Sequence, residues 1–414
     1  MKQITLYKRL PIVFLLGIII SMGFFSCTEE YPNAFRHTDG VPEVLFVRMT
    51  SPASADSLLD GAFMGSTICL VGNNLRSIHQ LFFNDQQALL NSSYITDHTL
   101  LVTVPNRIPV DVSDKIFMVT YANDTVAYDF KTRVPGPSVN SMSCEYAPEG
   151  TEATLYGDYF IDDPNIPLRI EFAGNLPVTQ IISIEKTQVT FVVPKGAMKG
   201  YINVTTLYGT GRSRFQYRDD RGMILDWDNL NANGGWRPGR LSDVDGISGK
   251  YVEFNGVADI GTAWNSEDDL SFNLWGKANG RPEGDFFDAT NLSNLQMKFE
   301  VNVLTPWTAA GMQMVFTPWA TTGTNGYYSD GTVPRGIWIP WAAAPDRSFQ
   351  TNGWITVTIP MTSFNTDRMG KVIGLAKAGN FGGLSFFVYA GGIDGVKGPV
   401  HMRIDNIRVV PVDK

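Results

Sequence analysis

The sequence predicts an all-β protein built from three consecutive β-sandwiches. Short runs of alternating apolar and polar residues recur about every 8–12 residues between turn-forming positions, as in sandwich domains. The chain supplies many such turns, with 40 glycines and 23 prolines. No stretch shows sustained helical periodicity. A chain of 414 residues is also too long for one compact core, so about three domains are expected.

The first residues of the sequence predict an export signal. Lys2, Lys8 and Arg9 form a basic region before the apolar run LPIVFLLGIII, and the following SMGFFSC ends at Cys27. A small residue before a cysteine, directly after an apolar run, resembles the cleavage site of bacterial lipoproteins. We therefore predict a lipoprotein signal peptide over residues 1–26 and lipidation of Cys27. A plain signal peptide or a single membrane anchor is the alternative, because the apolar run approaches the minimum length that spans a bilayer.

Residues 27–42 are predicted to form a short polar tether. Thr28, Glu29 and Glu30 follow the cysteine directly. Acidic residues at this place resemble the surface-export signal of lipoproteins in some Gram-negative glycan-using bacteria. The expected location is the outer face of the cell outer membrane, where several acyl chains would hold the protein stably.

Residues 43–134 and 138–218 are predicted to form two tandem immunoglobulin-like sandwiches. Both segments run from a strand through a glycine turn to further strands, one of which ends in Val-Pro. Proline cannot donate to a strand ladder, so it marks a point where the chain leaves a sheet. This order resembles the IPT/TIG family of immunoglobulin-like domains, and the resemblance rests on Gly72-Asn73-Asn74-Leu75, Gly157-Asp158-Tyr159-Phe160, Val104-Pro105 and Val193-Pro194. The prolines of residues 134–137 predict a short, stiff connection between the two.

Residues 219–414 are predicted to form a larger sandwich with long loops, of the jelly-roll kind. Alternation is clear in LQMKFEVNV and HMRIDNIRV. All nine tryptophans lie between Trp227 and Trp354, and the first 226 residues contain none. Tryptophan offers the largest flat apolar face of any side chain, so we expect this domain to carry the function.

A flat aromatic ring matches the apolar C–H face of a sugar, and each stacked ring contributes about 1–2 kcal/mol. Trp338 and Trp341 lie three residues apart in the proline-broken PRGIWIPW and are the first candidates for a stacking platform. Trp319, Tyr327 and Tyr328 flank a glycine-rich loop and come next. The alternative for each ring is that it fills the sandwich core.

Polar neighbours of these rings are candidates for binding sugar hydroxyls. Arg335, Asn325 and Asp330 are adjacent to them in sequence, although solvated loop residues are the simpler interpretation. Two neighbouring hydroxyls of a sugar suit a side chain that can make two hydrogen bonds.

The sequence resembles the surface glycan-binding proteins of polysaccharide-utilisation loci, of the type called SGBP-B. The residues that carry this resemblance are ILDWDNL, Asn273–Gly276, PRGIWIPW, NGWITVTIP and IDNIRVV. It implies a lipid anchor, tandem immunoglobulin-like domains and a C-terminal sandwich that binds xyloglucan or another β-glucan. It also implies Trp338 and Trp341 as platform residues, and an importer of the same locus as a partner.

Several other partners and cofactors are disfavoured. The net charge of -8 argues against nucleic acid, which needs a basic patch.

The remaining cysteines, Cys69 and Cys144, fall in different domains and are predicted to be buried free thiols. No zinc-ligand spacing is present, and no cofactor is predicted. A structural Ca²⁺ is conceivable only if the first and last strands of the C-terminal domain bring together Asp226, Asp228, Asn229, Asp405 and Asn406.

A hydrolase would need two carboxylates across a cleft. Glu283, Asp285, Asp288, Asp226, Asp228 and residues 267–269 are the acidic candidates, but all lie in turn-like sequence. No nucleophile elbow or phosphate loop is present. We therefore predict a non-catalytic glycan-binding protein. The alternatives are an adhesin that binds a protein through an exposed aromatic patch and, less favoured, a glycoside hydrolase.

Overall fold

The prediction of an all-β fold is confirmed. The computed structural model describes residues 35–54, 56–232, 239–258, 270–320, 330, 333–389 and 397–413. Their regular structure consists of β-strands and short 3₁₀ helices. None of the described helices is long and apolar enough to cross a bilayer. Cys27 and the signal region lie outside the described residues. Contacts divide the chain into two units, with the division between Val134 and Pro135.

The first unit is a β-sandwich. Its strands are β1 (Glu43–Met49), β2 (Gly61–Phe63), β3 (Thr67–Asn73), β4 (Ile78–Phe83), β5 (Gln86–Gln87), β6 (Thr99–Thr103), β7 (Lys115–Thr120), β8 (Thr125–Asp129) and β9 (Lys131–Arg133). Its 3₁₀ helices are Pro52–Ser54, Leu75–Ser77 and Ser92–Tyr94. The sheets have the orders β1-β3-β6 and β5-β4-β7-β8, and β2 pairs with β9. Alternate strand residues such as Leu70, Leu81 and Leu100 are fully buried between the sheets.

The second unit begins with another sandwich of the same kind. Its strands are β10 (Ser138–Met142), β11 (Glu152–Asp158), β12 (Arg169–Phe172), β13 (Leu176–Pro177), β14 (Ile181–Glu185), β15 (Gln188–Val192), β16 (Asn203–Thr206) and β17 (Gly209–Arg212). They form the sheets β10-β11-β15-β14 and β13-β12-β16-β17. We call this the middle sandwich. Its core includes Phe172, whose ring meets that of Tyr217 edge-on at 5.0 Å.

The glycine motifs of the two immunoglobulin-like sandwiches have one physical cause. Gly72 of β3 pairs with Val44, where β1 bulges, and Gly157 of β11 pairs with Val139, where β10 bulges. A Cβ atom would lie 1.9 Å from the Glu43 oxygen at Gly72 and 1.8 Å from the Ser138 oxygen at Gly157. Any side chain at either glycine would collide with the neighbouring strand.

The C-terminal sandwich completes the second unit. Its strands are β18 (Met223–Leu225), β19 (Arg240–Ser242), β20 (Tyr251–Ala258), β21 (Ser271–Trp275), β22 (Leu295–Val303), β23 (Gly311–Thr317), β24 (Gly336–Trp338), β25 (Ile355–Pro360), β26 (Gly383–Tyr389) and β27 (Gly398–Pro411). Its 3₁₀ helices are Lys277–Asn279, Ala289–Asn294, Pro340–Ala343 and Met361–Ser363. One sheet has the order β19-β20-β27-β22-β25, with β18 beside β27 as its sixth strand. The other is four-stranded, β21-β26-β23-β24, and an apolar core lies between them.

The middle and C-terminal sandwiches are joined by a buried cluster of four charged residues. Glu145 follows β10, Lys298 and Glu300 lie on β22, and Arg408 lies on β27; all four are at most 3% exposed. The Arg408 guanidinium donates to Glu145 Oε2 at 2.9 Å and to Glu300 Oε2 at 2.8 Å. Lys298 Nζ donates to the other oxygen of Glu145. Two cations therefore balance two carboxylates inside the protein.

Hydrogen bonds around this charge cluster extend the contact. Thr356 of β25 donates its backbone N–H to the Ser143 oxygen at 3.0 Å, and its hydroxyl accepts from the backbone N–H of Glu145 at 2.7 Å. The same hydroxyl donates to Glu300 Oε1 at 2.9 Å. Trp354 packs against the core of the middle sandwich and meets Tyr251 at 5.7 Å. The sequence boundary predicted between residues 218 and 219 thus lies inside one continuous unit.

The cysteine prediction is also confirmed. Cys69 and Cys144 are both buried free thiols. Burial raises the pKa of the Cys144 thiol, and the carboxylate of Glu300 adds to the rise. A thiol held neutral in this way is a poor nucleophile.

Replacing Arg408 by methionine is expected to lower the free energy of unfolding by about 3–5 kcal/mol, because Glu145 and Glu300 would keep buried charges with one cation between them. Urea denaturation followed by tryptophan fluorescence measures this, since every tryptophan lies in the C-terminal sandwich region. The control is Arg214→Met, at an exposed arginine of the middle sandwich, with an expected change within about 0.5 kcal/mol. Equal stability of R408M and wild type would contradict the role assigned to the charge cluster.

Candidate functional site

The four-stranded sheet has one face against the core and one face directed away from it. Residues that pair directly across strands share a face. Phe272, Phe386 and Met314 form one row on the core side. The alternating residues form the outer face, in the rows Trp275–Gly383–Thr317, Asn273–Ser385–Val315 and Ser271–Phe387–Gln313–Ile337. Most of this outer face is covered by other parts of the chain, since Asn273, Gln313, Val315 and Phe387 are at most 7% exposed and Val333 packs on the last two.

Three polar atoms on this outer face have no hydrogen-bond partner. They are Asn273 Nδ2, Thr317 Oγ1 and Ser385 Oγ, and the three residues are at most 2% exposed. Asn273 and Ser385 are direct neighbours, and Thr317 lies in the adjoining row. An unpaired buried polar group costs about 1–3 kcal/mol, so native proteins rarely keep several together without a reason. All three atoms are shielded from solvent by the chain itself.

Two tryptophans border these polar groups. Trp275 lies in the same cross-strand row as Thr317, and Trp319 lies two residues after Thr317, the last residue of β23. Both tryptophans are partly exposed. The Trp275 Nε1 atom is buried and also lacks a partner. Trp319 can approach the sheet because Gly382 has no side chain, since a Cβ there would lie 2.4 Å from the Trp319 Cβ. The amine of Lys277 lies 5.5 Å from the centre of the Trp319 ring.

The structure corrects the prediction that Trp341 is an exposed platform residue. Trp341 is 1% exposed, and its Nε1 donates to the Ala310 oxygen at 2.8 Å, so its indole fills the core, the alternative that the sequence left open. Trp338 packs against the core, where its ring lies 5.5–5.7 Å from those of Phe299, Trp307 and Phe349, but it remains partly exposed.

Arg335 is likewise a structural residue in this arrangement. It is fully buried, and its guanidinium donates to Gln313 Oε1 at 3.0 Å and to the Asp330 oxygen at 2.9 Å. The expectation of a solvent-facing side chain that binds hydroxyls is therefore wrong. Tyr327 and Tyr328 lie outside the described residues. Of the predicted platform rings, Trp319 is the one that the described structure places beside the outer face.

Asn273, Trp275, Thr317 and Ser385 were not predicted as site residues. A signal for two of them exists in the strand SFNLW, where Phe272 and Leu274 alternate with Asn273 and Trp275. Alternation separates the two faces of a strand, but it does not tell whether the polar side chains on one face find hydrogen-bond partners. Only the observed pairing of β21 with β26 shows which side chains are neighbours on that face.

Two of the acidic residues considered for catalysis, Asp285 and Asp288, accept hydrogen bonds from the backbone. Asp285 accepts hydrogen bonds from the backbone N–H groups of Gly379 and Phe381. Asp288 accepts from the backbone N–H of Thr290 at 3.0 Å and caps a 3₁₀ helix. Residues 267–269 lie outside the described residues.

The first and last strands of the C-terminal sandwich are neighbours, as the calcium hypothesis requires, because β18 pairs with β27. Asp226 nevertheless accepts from the N–H groups of Asn229 and Leu230 in its own turn, and Asp228 accepts from the N–H of Lys250. Within the described ranges, no three acidic, histidine or cysteine side chains are grouped as metal ligands.

Asp405 is buried beside this turn. Its carboxylate accepts from the Ser248 hydroxyl at 2.9 Å and from the backbone N–H of Asn406 at 2.7 Å. Burial raises the pKa of Asp405 to about 8, although these hydrogen bonds oppose the rise.

Comparison with known proteins identifies the relatives of this chain. Residues 217–411 match the family model described as the surface glycan-binding protein B xyloglucan binding domain. The chain is similar to PbSGBP-B, a surface glycan-binding protein from Prevotella bryantii, at 36% identity and a TM-score of 0.76, over 90% of this chain and 99% of that one. A curated IPT/TIG domain-containing protein from Bacteroides ovatus is 24% identical over 239 residues, which are 53% of this chain. Those residues are 47% of that protein, so the chain spans about half the length of this relative. Both the family model and the matched Prevotella protein are described as glycan-binding proteins.

The buried Asp405 predicts a pH dependence of stability. Between its unfolded pKa near 4 and its folded pKa of about 8, the folded state holds one more proton than the unfolded state. Stability should therefore fall as pH rises through this window, by at most about 1.4 kcal/mol per pH unit. In Asp405→Asn this contribution to the slope of the unfolding free energy against pH should vanish. Urea denaturation between pH 5 and 9 can measure it. Identical slopes for the variant and wild type would show that Asp405 does not titrate as described.

Proposed function

Because this chain belongs to the surface glycan-binding protein B family, we propose that it is a cell-surface lipoprotein that captures a xyloglucan-type β-glucan without cleaving it. The family model that it matches is that of a xyloglucan binding domain, and the matched residues 217–411 contain the whole four-stranded sheet. The observation that carries the proposal is the pair of partly exposed tryptophans beside this sheet, Trp275 at the end of β21 and Trp319 just after β23.

The chemistry of this face suits a sugar polymer. The apolar faces of sugar rings would stack on the exposed parts of Trp275 and Trp319. Stacking and burial of this kind give about 1–2 kcal/mol for each ring, so two rings with hydrogen bonds lead to micromolar to millimolar affinity.

The predicted lipid anchor supplies the location in this proposal. Cys27 would hold the protein at the outer membrane, with the two immunoglobulin-like sandwiches between the anchor and the binding domain. Tethering there raises the local concentration of glycan for neighbouring enzymes and an importer. The anchor and the importer are parts of the proposal that rest on the sequence.

Alanine at Trp275 or at Trp319 is expected to weaken glycan binding by about 5–30-fold, the loss of one stacking contact. Affinity electrophoresis against xyloglucan, mixed-linkage β-glucan and β-mannan, followed by calorimetry on the retarding polymer, measures this. Tyr156→Ala is the matched control, because Tyr156 is a 42% exposed aromatic residue on a strand of the middle sandwich.

Two outcomes of this experiment would count against the proposal. Absence of retardation by every polymer would remove glycan capture as the function, and undiminished binding by both tryptophan variants would move the site elsewhere. Release of reducing sugar by the wild-type protein would instead favour a hydrolase. Circular dichroism of each variant establishes that the fold is intact.

Replacing Cys27 by alanine is expected to abolish incorporation of labelled palmitate, because the acylated thiol would be lost. Metabolic labelling in a Gram-negative host that processes lipoproteins measures this. Cys69→Ala serves as the control and should keep the label. Equal labelling of C27A and wild type would contradict lipidation at Cys27.

A further inference from the structure

A loop of the C-terminal sandwich presents a row of apolar side chains to solvent. Residues 369–379 have the sequence MGKVIGLAKAG and precede β26, and all of them except Ala376 are exposed. Four large apolar side chains of this segment are 39–67% exposed, namely Met369, Val372, Ile373 and Leu375. Large apolar side chains that are exposed together mark surfaces that meet a membrane or another protein. We call this segment the 369–379 loop.

Hydrogen bonds hold the 369–379 loop in its exposed position. The Asp367 carboxylate accepts from the backbone N–H groups of Met369 at 2.8 Å and Lys371 at 2.9 Å. The backbone oxygen of Asn365 accepts from the N–H of Ile373 at 2.8 Å. The loop is therefore an ordered structure, and its apolar side chains are held outside the core.

The charge of this segment is opposite to that of the whole protein. From Asp367 to residue 379 it contains three cations, Arg368, Lys371 and Lys377, and one acidic residue, so its net charge is +2. The net charge of the whole chain is -8. A second carboxylate, that of Asp285, meets the loop at its last residue, where it accepts a backbone N–H at 3.0 Å. Both lysines are exposed, so the loop favours an anionic partner.

The composition of the loop favours a lipid surface over a protein partner. The centres of protein interfaces are enriched in aromatic residues and depleted of lysine and alanine. This loop has no aromatic residue, two lysines and two alanines. Apolar side chains beside lysines are typical of segments that lie in the headgroup layer of a membrane, because anionic lipids attract the lysines.

We propose that the 369–379 loop is a membrane-contact surface, which inserts Val372, Ile373 and Leu375 between the headgroups of an anionic lipid bilayer. Lys371 and Lys377 contact the lipid phosphates. Burial of the apolar side chains drives the insertion, and the lysines make it dependent on anionic lipid and on salt. The inference goes beyond glycan capture, because it gives the C-terminal sandwich a membrane contact that needs no acyl chain.

The test uses protein that starts at Thr28. This protein keeps every residue that the structure describes, and it lacks the predicted signal peptide and Cys27, so any membrane binding comes from the folded part. Binding is measured by co-sedimentation with two kinds of vesicle, phosphatidylcholine alone and equimolar phosphatidylcholine and phosphatidylglycerol. The second kind is measured at low and at high salt.

Two variants change the loop, and a third serves as the control. Val372→Asp places a negative charge among the apolar side chains, and Lys371→Ala combined with Lys377→Ala removes both lysines. The matched control is Val244→Asp, because Val244 is a 63% exposed valine of the same sandwich and lies between two aspartates. Glycan binding by V372D and its circular dichroism establish that the rest of the sandwich is intact.

Wild type is expected to bind the anionic vesicles and to bind them more weakly at high salt. The double lysine variant should bind about 30-fold more weakly, which is about fivefold for each lysine. V372D should lose at least about tenfold, because the apolar contact is replaced by a charge that anionic lipid repels. V244D should bind as wild type does, and V372D should keep its affinity for glycan.

Several results would overturn the inference and leave the proposed function standing. Failure of wild type to bind the anionic vesicles would do so, and an acidic protein surface would then be the better partner for the loop. Equal losses in V372D and V244D would also overturn it, as would equal binding to both kinds of vesicle. Loss of glycan binding in V372D would assign the loop to the glycan site instead of the membrane.

Discussion

The arrangement of the second unit depends on the salt bridges of Arg408. Its guanidinium lies between Glu145 of the middle sandwich and Glu300 of the C-terminal sandwich, and all three groups are removed from water. Burying such charges is favourable only when each has a partner with good geometry, so the cluster has one acceptable alignment. Through this contact the middle sandwich covers part of the six-stranded sheet.

The charge cluster and the outer face of the four-stranded sheet both contain buried polar atoms without a partner. The charge cluster pairs its charges within the protein but leaves Arg408 Nε unpaired, and Asn273, Thr317 and Ser385 each keep an unpaired atom. Such unpaired groups lower stability. Asp285 and Asp288, in contrast, are occupied by backbone N–H groups and hold turns in place. Binding without hydrolysis is consistent with this division of labour.

The fold could be predicted from the sequence because strand alternation and Val-Pro strand ends are local signals. The residues of the site could be predicted only in part. Trp338 alternates with Ile337 along β24 and so faces the core, and Pro340 starts a 3₁₀ helix that carries Trp341 inward. Neither outcome can be derived from a proline-rich segment alone. The contact between Glu145 and Arg408 spans 263 residues, and no local pattern predicts such a pair.

The contact between the middle and C-terminal sandwiches also determines whether the C-terminal sandwich can be used as an isolated domain. Cut from the chain at residue 218, it would carry Lys298, Glu300 and Arg408 on a bare surface, with Trp354 beside them. A transplant onto another carrier protein would therefore need the middle sandwich as well. Recombination between related genes faces the same restriction, and residues 135–414 are inherited most safely as one block.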